Sequence, residues 1–345
     1  NNMDISVLGL PQSGKSTFLK SLIKFNDSQE LPEICTLKIN DDRLKEVGKL
    51  LGHNKLSYPE ISFKEVNILS IKNNKTTELK EIESIQNSYG LLLVIRCFEN
   101  NHSNQILSDI DEIITELIFS DTVIIENIIE RRKNNTKGKT KQELENINGE
   151  IQLLETLKLH LEQGQPLNSY TLPKTELKKL VGYNLITLKP IFVLLNYDQD
   201  RSIIESNGDI TKVKNKYCYP AKLEMELSEL SENESEEFRQ SLNIEPRQDY
   251  KVLKSLFKAM GKIIFITAGE QEIKGWEINK GDNSLIAASK IHSDISKGFI
   301  RAEVIEYNTF IELGSWNKCK KEGKVKGNGK EYIVNDGDII NFLHS

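Results

Sequence analysis

Gly9-Leu10-Pro11-Gln12-Ser13-Gly14-Lys15-Ser16 fits the pattern GxxxxGK[ST] of a loop that cradles phosphates. An aliphatic run at 5–8 precedes it, and Phe18, Leu19, Leu22 and Ile23 follow at helical spacing. Strand, loop and helix therefore come in the order such a loop needs. In it backbone N–H groups wrap the phosphates, Lys15 reaches the outer phosphates, the Ser16 hydroxyl ligates Mg²⁺, and Thr17 continues the helix. Gly9 and Gly14 are needed because a side chain would block close approach or the required backbone angles, while the helix turns its positive end to the anion. The expected nucleotide contacts of this segment are Gly9, Pro11, Gln12, Ser13, Gly14, Lys15, Ser16 and Thr17.

The rest of the chain is bounded by its size and composition. At 345 residues it exceeds the usual size of a single hydrophobic core, so two or three domains are expected. With 38% hydrophobic and 28% charged residues the composition is globular, and no apolar run approaches the roughly 20 residues of a membrane span. The first ten residues lead into the strand with no basic start or small-residue cleavage site, so no signal peptide is expected and the location reads as cytoplasmic. Cys35, Cys97, Cys218 and Cys319 are scattered, which suits free thiols in a reducing compartment. A formal net charge of -5 gives no global attraction to nucleic acid, so such binding would need local basic patches.

Residues 90–97 (GLLLVIRC) and 189–196 (KPIFVLLN) are nearly continuous apolar runs, as strands buried on both faces require. Both read as central strands of a parallel sheet. Between them, 109–180 is rich in Glu and Lys with apolar residues at three-to-four spacing (Ile151, Leu154, Leu157, Leu161), which reads as a helical hairpin. Its basic middle at 131–141 contains Gly138 and would form the tip. Further helical segments at 223–230 and 238–242 lead to a strand at 263–267. From about 281, short runs at 298–305, 309–313, 330–334 and 338–343 read as the strands of a small terminal domain.

A nucleotide switch needs a hydroxyl that reaches Mg²⁺ from a mobile loop, an acid after a second strand and a glycine near the γ-phosphate. Thr36 is the candidate hydroxyl. Reading 61–71 (ISFKEVNILSI) as the second strand puts Asn67 and Ser70 at the acid and glycine positions. The base pocket is marked by Asn196 at the end of an apolar strand, with Gln199 in the fourth position of an Asn-x-x-acid motif. An amide there both donates and accepts, so strict guanine selection is not expected.

The C-terminal third carries a more specific likeness. Phe265-Ile266-Thr267-Ala268-Gly269, Trp276, 287–305 (AASKIHSDISKGFIRAEVI), Phe310-Ile311-Glu312-Leu313-Gly314 and 329–338 (GKEYIVNDGD), together with Arg96-Cys97-Phe98-Glu99-Asn100, resemble the YchF family of Obg-like P-loop ATPases, and the resemblance spans nearly the whole chain. It implies an α/β P-loop NTPase domain with a mostly parallel sheet and flanking helices, an inserted helical coiled-coil hairpin, and a C-terminal β-grasp domain of the TGS type. The expected boundaries are 1–108 with 184–280, 109–183 and 281–345. The resemblance also implies ATP bound at least as well as GTP, association with ribosomes, a loop Pro220-Ala221-Lys222-Leu223 over the base that adds Ala221 and Lys222 to the site, and a hydrophobic residue, Ile71, where many GTPases place a glutamine. Against the family pattern, Asn67 and Ser70 replace Asp and Gly of a DxAG motif, and 72–87 is Lys/Glu-rich and short where a glycine-rich loop is expected. Gln199 replaces a glutamate, Pro220 a small residue, and His102 is out of register with the family's histidine.

Two functions follow from these residues: a slow Mg²⁺-dependent ATPase, or a nucleotide-binding module of the same ancestry that has lost hydrolysis and serves as a ribosome- or RNA-facing scaffold. The candidate RNA surfaces are the hairpin tip (Arg131, Arg132, Lys133, Lys137, Lys139, Lys141) and the cluster Lys318, Lys320, Lys321, Lys324, Lys326. Few aromatics interleave with either, so backbone or shape recognition is expected. His292 and Trp276 read as packing residues.

Overall fold

The computed structural model describes residues 3–23, 31–67, 76–98, 103–135, 137–198, 202–206, 208–241, 248–269 and 272–345. The expectations placed on Ser70, Ile71, His102 and Gln199 fall outside these residues. Twelve strands are described: β1 (Met3–Leu8), β2 (Ile34–Lys38), β3 (Leu56–Ser57), β4 (Glu60–Glu65), β5 (Gly90–Arg96), β6 (Ile191–Asn196), β7 (Lys216–Tyr219), β8 (Lys262–Ala268), β9 (Ile273–Asn279), β10 (Phe299–Ile305), β11 (Lys326–Asn328) and β12 (Ile339–His344). The chain forms two compact units, Asn1–Thr36 with Ser62–Gln248, and Leu37–Ile61 with Asp249–Ser345.

The first unit is built on a six-stranded sheet of order β2-β4-β1-β5-β6-β7. Its centre is parallel: Val7 pairs with Leu92, Leu93 with Val193, and Val193 with Lys216. Every residue of β5 but the last is buried, as the unbroken apolar run required of a strand covered on both faces. Leu91, Leu93, Ile95, Val193 and Leu195 share one cluster with Ile113 and Leu117 of the long helix Ser103–Asn134. Parallel strands end on one edge of the sheet, so the loops after β1, β5 and β6 leave the sheet together, where α/β folds place ligands.

Ser103–Asn134 and Lys141–Glu162 form the expected hairpin. Ile125 and Ile129 pack with Ile151, Leu154 and Leu157, and Gly138, at φ 78°, sits in the turn. Thr140 and Glu143 close a reciprocal cap on the second helix. Near the tip, Arg132 pairs with Glu150 at 3.1 Å and Lys133 with Glu155 at 3.1 Å. Asp121, fully buried, accepts from Ile186 N and Thr187 N at 2.7 Å each and from Thr187 Oγ1 at 2.6 Å.

The second unit carries a mixed sheet of order β11-β10-β12-β8-β9-β3. β8 and β9 are antiparallel, β12 runs parallel to β8, and β10 antiparallel to β12. The helix Ser284–Ile291 buries Ala287 and Ala288 in a cluster with Phe265, Phe299 and Phe342. Trp276 stacks on Phe265 and donates to Thr267 Oγ1 at 2.9 Å, so it is a packing residue, whereas His292 is an exposed helix cap accepting from Asp294 N at 3.2 Å.

Two of the expected terminal strands are corrected. Residues 309–313 lie in a helix, Tyr307–Leu313, which buries Phe310 and ends at Gly314 with φ 79°. Residues 330–334 form no ladder and contribute only the bridge from Ile333 to Asn283. The compact units also divide the chain elsewhere than the expected boundaries. Residues 37–61 pack with the C-terminal segments through Arg43, which binds Asp336 at 3.0 Å, and through β3, which pairs with β9. Asp41 caps the helix Asp42–Leu51 of this segment, and Gly52, at φ 71°, ends it.

Candidate functional site

The loop after β1 is shaped by contacts that only glycine permits. A Cβ on Gly9 would lie 2.5 Å from Ser13 Oγ and 2.6 Å from the Val94 carbonyl, and one on Gly14 would collide with Asn196 Nδ2. Gly14 has φ 93° and Gln12 φ 61°, so the backbone turns twice through the left-handed region. The helix Lys15–Leu22 then opens with no side-chain cap, leaving its first N–H groups free for an anion. Phe18 anchors that helix with its ring edge-on to Tyr219 at 5.3 Å, and Ser21 Oγ lies 2.8 Å from Tyr219 Oη.

Lys15 Nζ donates to the carbonyls of Gly9 at 3.1 Å and Leu10 at 3.3 Å and stands 3.9 Å from Glu65 Oε1. Burial lowers its pKa, against the opposing pull of the Glu65 carboxylate. The Ser16 hydroxyl donates to Glu65 Oε2 at 2.8 Å. Glu65 is the last residue of β4, and Val66 N beyond it still donates to Val7 O at 2.9 Å, with Asn67 following. Sequence reading did not assign Glu65 to the site, yet the structure places its carboxylate against Lys15 and Ser16.

Thr36 does not come to Ser16. Its Oγ1 is 3.0 Å from Ser62 Oγ, and it lines a separate cavity of about 560 Å³ with Asp4, Ser6 and Glu83. Asn196 does join the site, and it does so as a joint. With 4% of its surface exposed, its Nδ2 donates to Ser13 O at 3.0 Å and its Oδ1 accepts from Ala221 N at 3.1 Å. The phosphate loop and the start of the helix Ala221–Ser228 are thus held by one side chain from β6. Ser13 Oγ, buried beneath the loop, has no partner among the described residues.

These elements enclose a cleft of about 560 Å³. Gln12, Gly14, Lys15, Ser16, Thr17 and Glu65 line its phosphate side, and Phe98, Asn196, Tyr197, Asp198, Lys222 and Met225 line it from beyond β5, from the end of β6 and from the helix Ala221–Ser228. The volume suits a nucleotide-sized ligand. Of the remaining expected residues, Gly9, Ser13 and Ala221 act from beneath through backbone and packing, and Pro11 is exposed outside the lining. Sequence reading missed Glu65, Phe98, Tyr197, Asp198 and Met225 as site residues. The usable signal was positional: each but Met225 lies within two residues of the end of a sheet strand. Among the described residues no group of three or more His, Cys, Asp or Glu could hold a metal by itself, and no helix is long and apolar enough to cross a membrane.

Comparison with known proteins gives a consistent likeness. Residues 263–345 match the family YchF-GTPase_C, described as a protein of unknown function (DUF933). The chain is 32% identical to the ribosome-binding ATPase YchF of Buchnera aphidicola subsp. Acyrthosiphon pisum (strain APS), covering 98% of each sequence. It is 31% identical to the protein of the same name from Haemophilus influenzae, covering 97% of each. The structure of the Schizosaccharomyces pombe YchF GTPase superposes with a TM-score of 0.84 at 22% identity, over 99% of this chain and 98% of that one, which shows a shared fold.

Proposed function

This chain belongs to the YchF family, and on that footing we propose that it binds ATP, and also GTP, at the phosphate loop and hydrolyses the triphosphate slowly with Mg²⁺. One observation carries the reading: Lys15, Ser16 and Glu65 converge on one wall of a nucleotide-sized cleft. Lys15 and the loop N–H groups orient the phosphates, and the free helix N-terminus adds its positive end. A hydroxyl and a carboxylate 2.8 Å apart supply the hard oxygens that Mg²⁺ takes, with phosphate oxygens and water completing the shell. Ser16 and Glu65 would hold the ion, which when bound neutralises charge on the outer phosphates. What the protein adds is position, since Lys15 is held by the Gly9 and Leu10 carbonyls and Glu65 by Ser16.

The residues Asn67 and Ser70, read at the acid and glycine positions of the family motif, favour a second reading. A side chain in place of the DxxG glycine hinders close backbone approach to the γ-phosphate, so binding outlasts hydrolysis and occupancy alone acts as the signal. ATP turnover of the wild type against Lys15→Ala, beside binding of a fluorescent ATP analogue, separates the two. Turnover well above Lys15→Ala supports the enzyme; binding with turnover equal to Lys15→Ala supports the module.

The relatives' name motivates a ribosome partner and a cytoplasmic place of action. At the hairpin tip Arg131, Lys137 and Lys141 are exposed, whereas Arg132 and Lys133 are engaged by Glu150 and Glu155. In the terminal unit Lys318, Lys321 and Lys324 are exposed. Replacing either triplet with glutamate is expected to weaken ribosome co-sedimentation in a salt-dependent way; unchanged sedimentation of both variants contradicts the assignment.

A further inference from the structure

We propose that the polar cavity between β1, β2, β4 and the helix Thr76–Asn87 is a second ligand site, and that its ligand is a small organic polyamine. The cavity shares no lining residue with the nucleotide cleft. Asp4 and Ser6 of β1, Ser62 and Lys64 of β4, and Ile34 and Thr36 of β2 are each two residues apart, so each pair lies on one face of its strand, and all six line one space of about 560 Å³. The residues between them, Ile5, Phe63 and Cys35, are buried, and Phe63 meets Phe18 of the helix Lys15–Leu22 with ring centroids 6.1 Å apart. Further along β1 the polar face gives way to an apolar one, where Leu8 packs with Leu91, Leu93, Ile95 and Ile85, the last from the helix that also lines the cavity. A sheet face covered by a helix in an α/β unit is ordinarily apolar throughout, and packing gives no reason for Ser6, Ser62 and Thr36 to interrupt it.

Ser6 points from shape to ligand. It is 1% exposed, it lines the cavity, and its hydroxyl has no hydrogen bond among the described residues. A buried hydroxyl without a partner costs stability unless something in the cavity completes it. Asp4 and Glu83 are exposed carboxylates on the same lining, with no side-chain hydrogen bond or ion pair among the described residues. The one ammonium of the lining, Lys64, is taken by Glu33 at 2.7 Å. The unmatched groups are therefore two carboxylates and a hydroxyl, which call for a positively charged donor. Among the described residues no group of three or more His, Cys, Asp or Glu could hold a metal, so the cation that fits carries its own N–H donors. A polyamine brings an ammonium to each of Asp4 and Glu83, and its methylenes meet Ile34, which is 54% exposed. The volume holds such a molecule whole.

The test is calorimetric titration of spermidine into the full-length protein without nucleotide, at a fixed ionic strength of about 0.1 M so that loose counterion attraction is screened. Four proteins are compared: the wild type, Asp4→Asn with Glu83→Gln, Ser6→Ala, and a control, Glu130→Gln with Glu145→Gln, that removes the same charge from exposed positions of the hairpin. Saturable binding is expected in the wild type and the control. It should weaken about tenfold or more in the doubly neutralised cavity and about threefold in Ser6→Ala. The urea unfolding midpoint of Ser6→Ala should stay level or rise, because the substitution removes an unpartnered buried hydroxyl, so its lost affinity is not a folding defect. Mg²⁺ at matched ionic strength should leave spermidine bound. An equal loss in the control, displacement by Mg²⁺, undiminished binding in either cavity variant, or no saturable binding to the folded wild type would overturn the proposal. None of these results bears on the phosphate loop, whose own test is ATP binding.

Discussion

Asn196 in the cleft and Asp121 in the hairpin region are both polar, with 4% and 0% of their surface exposed, and both bond to segments far along the chain. Their surroundings differ. Asp121 lies on a helix whose neighbouring Ile118 and Ile125 are buried; burial pushes its carboxyl pKa up, and bonds from Thr187 and Ile186 oppose that push. Its bonds tie the helix Ser103–Asn134 to Ile186 and Thr187. Asn196 is neutral, and its two bonds hold two walls of an open cleft. Burial with full hydrogen bonding thus serves stability in one place and shape for a ligand in the other, and what lines the neighbouring space tells the two apart.

Asp121→Ala should be the largest effect on folding. It strands the N–H groups of Ile186 and Thr187 in the interior, and a loss of about 3 kcal/mol in urea unfolding is expected. Nucleotide affinity of the folded fraction should not change; a matching loss of affinity would erase the distinction drawn above. Lys15→Ala should give the converse result, weakening ATP about a hundredfold while leaving the unfolding midpoint the same or higher, because it removes a charge whose burial already lowers its pKa. Asn196→Ala falls between the two, with about 1 kcal/mol of stability lost and binding weakened about tenfold. Either effect without the other would show that the joint and the cleft are separable.

The smallest effect is on pH dependence. Burial lowers the pKa of Lys15 in the free protein, and bound phosphates favour its ammonium form. Binding therefore takes up a proton once the pH exceeds the free-state value. Affinity should fall about threefold or more as the pH rises through that value, which burial sets below the ordinary lysine range. Lys15→Ala should remove the slope.

Much of this was legible in the sequence, for identifiable reasons. The phosphate loop is fixed by backbone geometry, so its glycines, Lys15 and Ser16 read directly. The strands β5 and β6 read directly because burial on both faces demands unbroken apolar runs. Glu65 was hidden because Ile61, Ser62 and Phe63 are all buried, so no alternation marks where β4 ends beside the phosphate loop. The helix Tyr307–Leu313 was hidden for a different reason: seven residues are too short for a helical period to outweigh Phe310 and Ile311. The packing of 37–61 with the C-terminal segments depends on Arg43 meeting Asp336, two residues 293 positions apart that no local pattern connects.

The central claim is that Glu65, bonded to Ser16, is the acid of the nucleotide site. It is tested most directly by ATP affinity measured with Mg²⁺ and with a chelator, on the wild type, Glu65→Gln and Asn67→Ala. The account predicts that Mg²⁺ tightens binding in the wild type and in Asn67→Ala and has little effect in Glu65→Gln. A full Mg²⁺ effect in Glu65→Gln, or its loss in Asn67→Ala alone, would contradict it.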